Sequence, residues 1–218
     1  MSASGPSYRL IIGSKNFSSW SLRPWFLMKE AGLPFEEIEI RLRQPGTRAE
    51  ILKHSPTGKV PALFDGDLSI WDSLAIAEFL AERHPDKKLW PESIEARATA
   101  RAVSAEMHSG FAELRNSLPM DFLGRKPIAS IPEGAANDIR RVVAIWNMAR
   151  KKFGAGGPFL FGRLSVADAM FAPVASRFTT YALDLKNFGD DGSAEAYRAM
   201  LMARQSMREW AEGSVAEA

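Results

Sequence analysis

Asp72-Ser73 stands immediately before an apolar run of helical spacing. The first N–H groups of a helix lack partners within the helix, and the macrodipole favours negative charge there. Such a pair caps the helix, holds a ligand's carboxylate, or does both. Upstream, Gly58-Lys59-Val60-Pro61-Ala62-Leu63-Phe64 sets a proline at the mouth of an apolar run that otherwise reads as a strand. Proline gives no ladder hydrogen bond, so Pro61 belongs at an edge, a bulge or a first residue. It either blocks a strand edge or leaves bare backbone groups for an extended ligand. Ser18 and Ser19 precede a helical stretch at 20–31, where hydroxyls cap or meet a ligand. Met107, Phe111 and Arg115 recur every four residues on one face, as an apolar wall with one cation or as core plus a surface ion pair. His54 and His84 show no metal-ligand spacing, and His108 is expected as polar surface one position off that face.

These residues need elements to hold them. Tyr8-Arg9-Leu10-Ile11-Ile12 reads as a buried strand stopped by Gly13. The helix at 20–31 follows, with Pro24 expected in its first turn and Gly32 as its stop. Phe35-Glu36-Glu37-Ile38-Glu39-Ile40 alternates as a second strand, and a short helix is expected at 48–54. A third strand at 60–64, an Asp65-Gly66-Asp67 turn and a fourth strand at 68–70 form a hairpin, and a helix at 72–83 follows. The order β-α-β-α-β-β-α predicts a thioredoxin-like α/β domain, a four-stranded mixed sheet with three helices, over 8–84. A linker at 85–93 is pinned by Leu89 and Trp90, and an all-helical domain is expected over 94–213. Its parts are a long helix at 94–118, a loop, and a helix striped by Ile139, Val142, Val143, Trp146, Ala149 and Phe153. A capping box at Ser165 and Asp168 opens a helix that Pro173 kinks or divides, and one or two helices at 195–212 close the chain.

Composition narrows the functions. Cysteine is absent, which excludes disulfides, thiolate metal sites and Cys nucleophiles, and leaves a disulfide oxidoreductase poorly supported. The net charge of +2 is spread evenly, with no basic stretch interleaved with aromatics, which disfavours nucleic acid as a partner. No run reaches the roughly 20 apolar residues of a membrane span. Residues 1–7 lack a signal pattern and read as a disordered leader, from which a cytoplasmic location is expected.

Four segments carry a family likeness: Ser18-Ser19-Trp20-Ser21-Leu22-Arg23, Ser55-Pro56-Thr57-Gly58-Lys59-Val60-Pro61-Ala62-Leu63, Asp72-Ser73-Leu74-Ala75-Ile76 and Leu164-Ser165-Val166-Ala167-Asp168. In this order, over 8–210, the chain resembles the cytosolic glutathione transferase superfamily. Its first loop looks most like the Ser-type branch and, in its Ser-Ser pair before an aromatic and Arg, like the zeta class.

The resemblance implies glutathione as co-substrate, no metal, and a homodimer. Pro61 would be a cis-proline exposing the Val60 backbone to the cysteinyl residue. Ser73 would take the γ-glutamyl carboxylate, Asp72 would face the ammonium, and Lys59 would meet the glycyl carboxylate. Ser18, with Ser19 as competitor, would stabilise the thiolate of a thiol whose free pKa is about 8.5. Met107, Phe111 and Arg115 would face a small hydrophobic or acidic electrophile between the domains. Ser165 and Asp168 would be structural, and Tyr8 lies too early for the tyrosine-type classes. Trp20 stands where the zeta class has a cysteine, which favours a general transferase over maleylacetoacetate isomerisation. The alternatives are a zeta-like cis–trans isomerase and a non-catalytic member binding glutathione or a protein.

Overall fold

The computed structural model describes residues 8–215; the expected leader at 1–7 lies outside them. The first half runs β1 (Tyr8–Gly13), α1 (Ser19–Ala31), β2 (Phe35–Ile40), α2 (Thr47–Leu52), β3 (Ala62–Asp65), β4 (Leu68–Trp71) and α3 (Ser73–Arg83). The sheet order is β2-β1-β3-β4. β1 pairs parallel with β2, across the α1 crossover, and antiparallel with β3; β3 and β4 form the hairpin. This is the expected thioredoxin-like mixed sheet with three helices. Alternation along β1 divides the interior: Leu10 and Ile12 join the main core, while Ile11 joins Ile40, Ile51 and Ala62 beneath α2.

The second half is helical: α4 (Ile94–Ser109), α5 (Ala112–Ser117), α6 (Glu133–Phe153), α7 (Val166–Thr180), α8 (Ser193–Met202) and α9 (Gln205–Val215). Two isolated bridges, Phe159 with Gly162 and Phe161 with Arg163, form a tight turn before α7. The α6 stripe is buried from Ile139 to Ala149 and half-buried at Phe153, and Trp146 packs edge-on against Phe171 and Tyr197. No described helix is long and apolar enough to cross a membrane.

The main core is continuous between the halves. Trp25 on α1 meets Trp210 on α9 at 5.0 Å between ring centroids, and Trp210 Nε1 donates to the Lys15 carbonyl at 2.8 Å. The capping box at Ser165 is present and larger than expected. Asp168 Oδ2 accepts from the Ser165 N–H and hydroxyl, and its Oδ1 accepts from Leu160 N–H and the Tyr197 hydroxyl.

Three expectations are corrected. Pro24 lies in the second turn of α1, because Ser18 takes the cap and the helix starts at Ser19. β3 begins at Ala62, after the proline, and not at Val60. The single helix expected over 94–118 is broken: Gly110 is extended and Phe111 takes φ 60°, so α4 and α5 are separate. Tertiary groups hold the break. Arg115 donates to the carbonyls of Met107, His108 and Gly110, and Asp138 Oδ2 accepts the Leu114 N–H at 2.9 Å. These satisfy backbone groups that helix ends leave orphaned. Arg115→Met is therefore expected to lower the unfolding free energy by about 1–3 kcal/mol. An unchanged denaturation midpoint would show that water replaces the guanidinium.

Candidate functional site

A groove of about 710 Å³ opens between the N-termini of α1 and α3, lined among others by Phe17, Ser18, Lys59, Val60, Pro61 and Ser73. Three physical features meet in it. The first is the α1 N-terminus. Ser18 is its cap, and its Oγ accepts the Ser21 N–H at 3.3 Å. Ser18 lines the groove; Ser19, buried at the first helical position, does not. The second is the edge before β3. The Val60–Pro61 bond is cis, and Val60 precedes the first paired residue, Ala62, outside the ladder.

The third is the α3 N-terminus. Asp72 takes φ 76°, which costs a non-glycine residue about 1–3 kcal/mol. In return its Oδ1 accepts the N–H groups of Leu74 and Ala75 at 2.8 and 3.3 Å, leaving the Ser73 N–H outside the cap. Ser73 Oγ accepts from Arg23 Nη1 at 3.3 Å. A guanidinium has no acceptor, so the Ser73 proton is left for another partner.

Arg23 is the functional group that residue spacing did not single out. It is 1% exposed, its Nη2 donates to the Met107 carbonyl at 3.4 Å, and its Nε is buried without a partner. It lies 4.2 Å from the centroid of Trp20, whose ring also carries Arg115 at 4.8 Å. Burial, then the Arg115 and Arg177 charges, push its pKa well below the ordinary value, with Asp72 opposing. The available signal was an arginine beside Leu22 and Pro24, at the head of the run Trp25-Phe26-Leu27-Met28.

His108 is not the polar surface expected. Its ring packs edge-on against Trp20 at 5.3 Å, and its Nε2 lies 3.1 Å from Asp72 Oδ2. Burial lowers its pKa, Asp72 works against that, and Arg23 and Arg115 push it lower still.

The expected face of Met107, Phe111 and Arg115 is also corrected. Met107 and Phe111 are buried in the core, Arg115 is turned onto the end of α4, and none lines the groove. The break at Gly110 and Phe111 destroys the four-residue register on which that face depended. The groove instead carries Phe17, Trp20 and Trp71, which are 38, 37 and 45% exposed. Among the described residues, no group of three or more His, Asp or Glu is placed to hold a metal ion.

Residues 17–83 match the family model for the glutathione S-transferase N-terminal domain, and residues 97–210 match the model for its C-terminal domain. The chain belongs to the glutathione S-transferase family. Among curated transferase relatives, it is 28% identical over 176 residues to a zeta-class glutathione S-transferase of Euphorbia esula, covering 78% of this chain and 77% of that one. It is 25% identical over 171 residues to a probable maleylacetoacetate isomerase of Caenorhabditis elegans, covering 78% of each. A solved glutathione transferase homolog from Burkholderia, with bound glutathione, superposes with a TM-score of 0.70 over 97% of this chain and 100% of that chain. At 22% identity that likeness shows the transferase fold.

Proposed function

We propose that this chain is a cytoplasmic, homodimeric glutathione transferase that holds glutathione as thiolate and directs it at an electrophile. The carrying observation is that one groove contains Ser18 at the α1 N-terminus, the unpaired edge at Val60 and Pro61, and Ser73 at the α3 N-terminus. Ser73, with its N–H, its outward proton and Arg23 behind it, takes the γ-glutamyl carboxylate. The Val60 backbone pairs with the cysteinyl residue as an added strand would. Lys59 takes the glycyl carboxylate, and Asp72 faces the ammonium. Ser18, and not Ser19, donates to the sulfur. The electrophile stacks in the aromatic part of the groove formed by Phe17, Trp20 and Trp71.

Ser18→Ala is expected to raise the pKa of bound glutathione by about one unit or more toward the free value near 8.5, while glutathione still binds. The measurement is thiolate absorbance against pH, with affinity by calorimetry. A thiolate titration identical to the wild type would remove Ser18 from this role.

A glutathione-dependent cis–trans isomerase is the second reading, favoured by the relative named as a probable maleylacetoacetate isomerase. Turnover of a cis-enedione without net loss of glutathione selects it over transfer. Glutathione binding with no turnover across a broad electrophile panel selects a non-catalytic member instead.

A further inference from the structure

We propose that Ser21 is a positioning residue: when a thiolate occupies the groove its buried hydroxyl, anchored by the Gly13 N–H, turns to donate to Ser18 Oγ, so that the Ser18 proton points at the sulfur. The inference rests on the reading of Ser18 as the group that meets the sulfur.

Ser21 is fully buried on α1 and does not line the groove. Its Oγ accepts the Gly13 N–H at 3.0 Å and lies 2.7 Å from Ser18 Oγ. Its backbone N–H donates to the same Ser18 oxygen at 3.3 Å. Among the described residues the Ser21 hydroxyl has no further hydrogen-bond partner.

A hydroxyl has one proton and two lone pairs. The Gly13 N–H can only donate, so it takes one lone pair of Ser21 Oγ in every state. The two hydroxyls then have two arrangements. With Ser18 donating inward, as in the structure, both Ser21 lone pairs are filled and its buried proton is unused. With Ser21 donating outward, both lone pairs of Ser18 Oγ are filled by Ser21, one from its N–H and one from its O–H. The Ser18 proton must then turn to the groove.

A thiolate in the groove selects the second arrangement, because only then is every donor used. Gly13 N–H, Ser21 O–H and Ser18 O–H form a chain whose dipoles all point at the anion, and such chains strengthen cooperatively. No proton passes along it. The thiol proton leaves to solvent, no covalent bond of either serine breaks, and the two hydroxyls rotate.

The test is the pH titration of bound glutathione by thiolate absorbance, measured as a difference against the ligand-free protein, with no protein thiolate contributing because the chain has no cysteine. Wild type, Ser18→Ala, Ser21→Ala, Ser21→Thr and the Ser18→Ala, Ser21→Ala double variant are compared. Ser21→Ala is expected to raise the bound-thiol pKa by roughly 0.5–1 unit, less than Ser18→Ala. The double variant should titrate as Ser18→Ala does, and Ser21→Thr, which keeps the hydroxyl, as wild type. A wild-type titration in Ser21→Ala, or shifts that add in the double variant, overturns the relay and leaves Ser18 in place. A wild-type titration in Ser18→Ala overturns the underlying reading instead.

If Ser21→Ala does not fold, the native protein still decides. The Gly13 amide resonance should follow the bound-thiol titration in the wild type and lose that response in Ser18→Ala. A Gly13 amide indifferent to the titration overturns the proposal.

Discussion

Replacing Arg23 with methionine is expected to weaken glutathione binding by about 10- to 150-fold while leaving the fold as stable as before or more stable. The two effects have one origin. Arg23 is a buried cation with no ion-pair partner among the described residues; it donates to a serine hydroxyl and a carbonyl, beside the like charge of Arg115. Replacing a buried charge by an apolar chain of similar length is often neutral or stabilising, here by up to about 4 kcal/mol. The Met107 carbonyl would keep a donor in Arg115. The loss falls on the ligand. Without the guanidinium, the Ser73 hydroxyl is free to turn its proton away, and a bound carboxylate loses a nearby positive charge. Charge-assisted hydrogen bonds contribute about 1.5–3 kcal/mol, which sets the expected change in affinity. Calorimetric titration with glutathione and urea denaturation check the two halves. Wild-type affinity, or a loss of several kcal/mol in stability, would contradict the assignment.

Asp168→Ala is expected to remove about 3–5 kcal/mol of unfolding free energy, a large share of the total for a typical domain. The carboxylate is buried and accepts from four donors, two of them backbone N–H groups with no alternative partner. Asp168→Asn should cost less, about 1–3 kcal/mol. The hydroxyls of Ser165 and Tyr197 can rotate to accept from an amide, but the Leu160 or the Ser165 N–H then faces a second donor.

The same residue makes stability depend on pH. Burial raises its pKa from 3.8 to about 6 against the pull of the four donors. Between these values the folded chain keeps a proton that the unfolded chain has released. Its contribution is therefore fully present below about pH 4 and declines as pH rises through about 6, by about 3 kcal/mol in all. Asp168→Asn should flatten that part of the curve relative to wild type. Parallel curves for the two proteins would show that Asp168 is ionised throughout.

What the sequence disclosed follows from how local each signal is. The order of strands and helices along the chain came from alternation and turn residues, and Asp72, Ser165 and Asp168 announced helix starts because capping is a contact over a few residues. Ser18, Val60, Pro61 and Ser73 were found as motifs, and the fold gathers them into one groove. Arg23 was missed as a functional group, since its meaning depends on Ser73 and Met107, both far away in sequence. The helix break at Phe111 was missed for a related reason. Gly110 is a poor helix former but by itself only permits a stop, and the groups that hold the break, Arg115 and Asp138, act through tertiary hydrogen bonds. That one unexpected break puts Met107 and Phe111, expected to face an electrophile, into the core.

The hydrogen bond from Trp210 to the Lys15 carbonyl ties the last described helix to the loop that leads into Ser18. On the ribosome that loop emerges 195 residues before the tryptophan that anchors it. A nascent chain that has already paired its sheet would still present Trp25 without the ring that covers it. The corner around Ser18 is thus synthesised long before the helix that completes it, and a chain stopped before α9 would keep the ties of Asn16 to Asp121, Phe122 and Leu123 while losing this one.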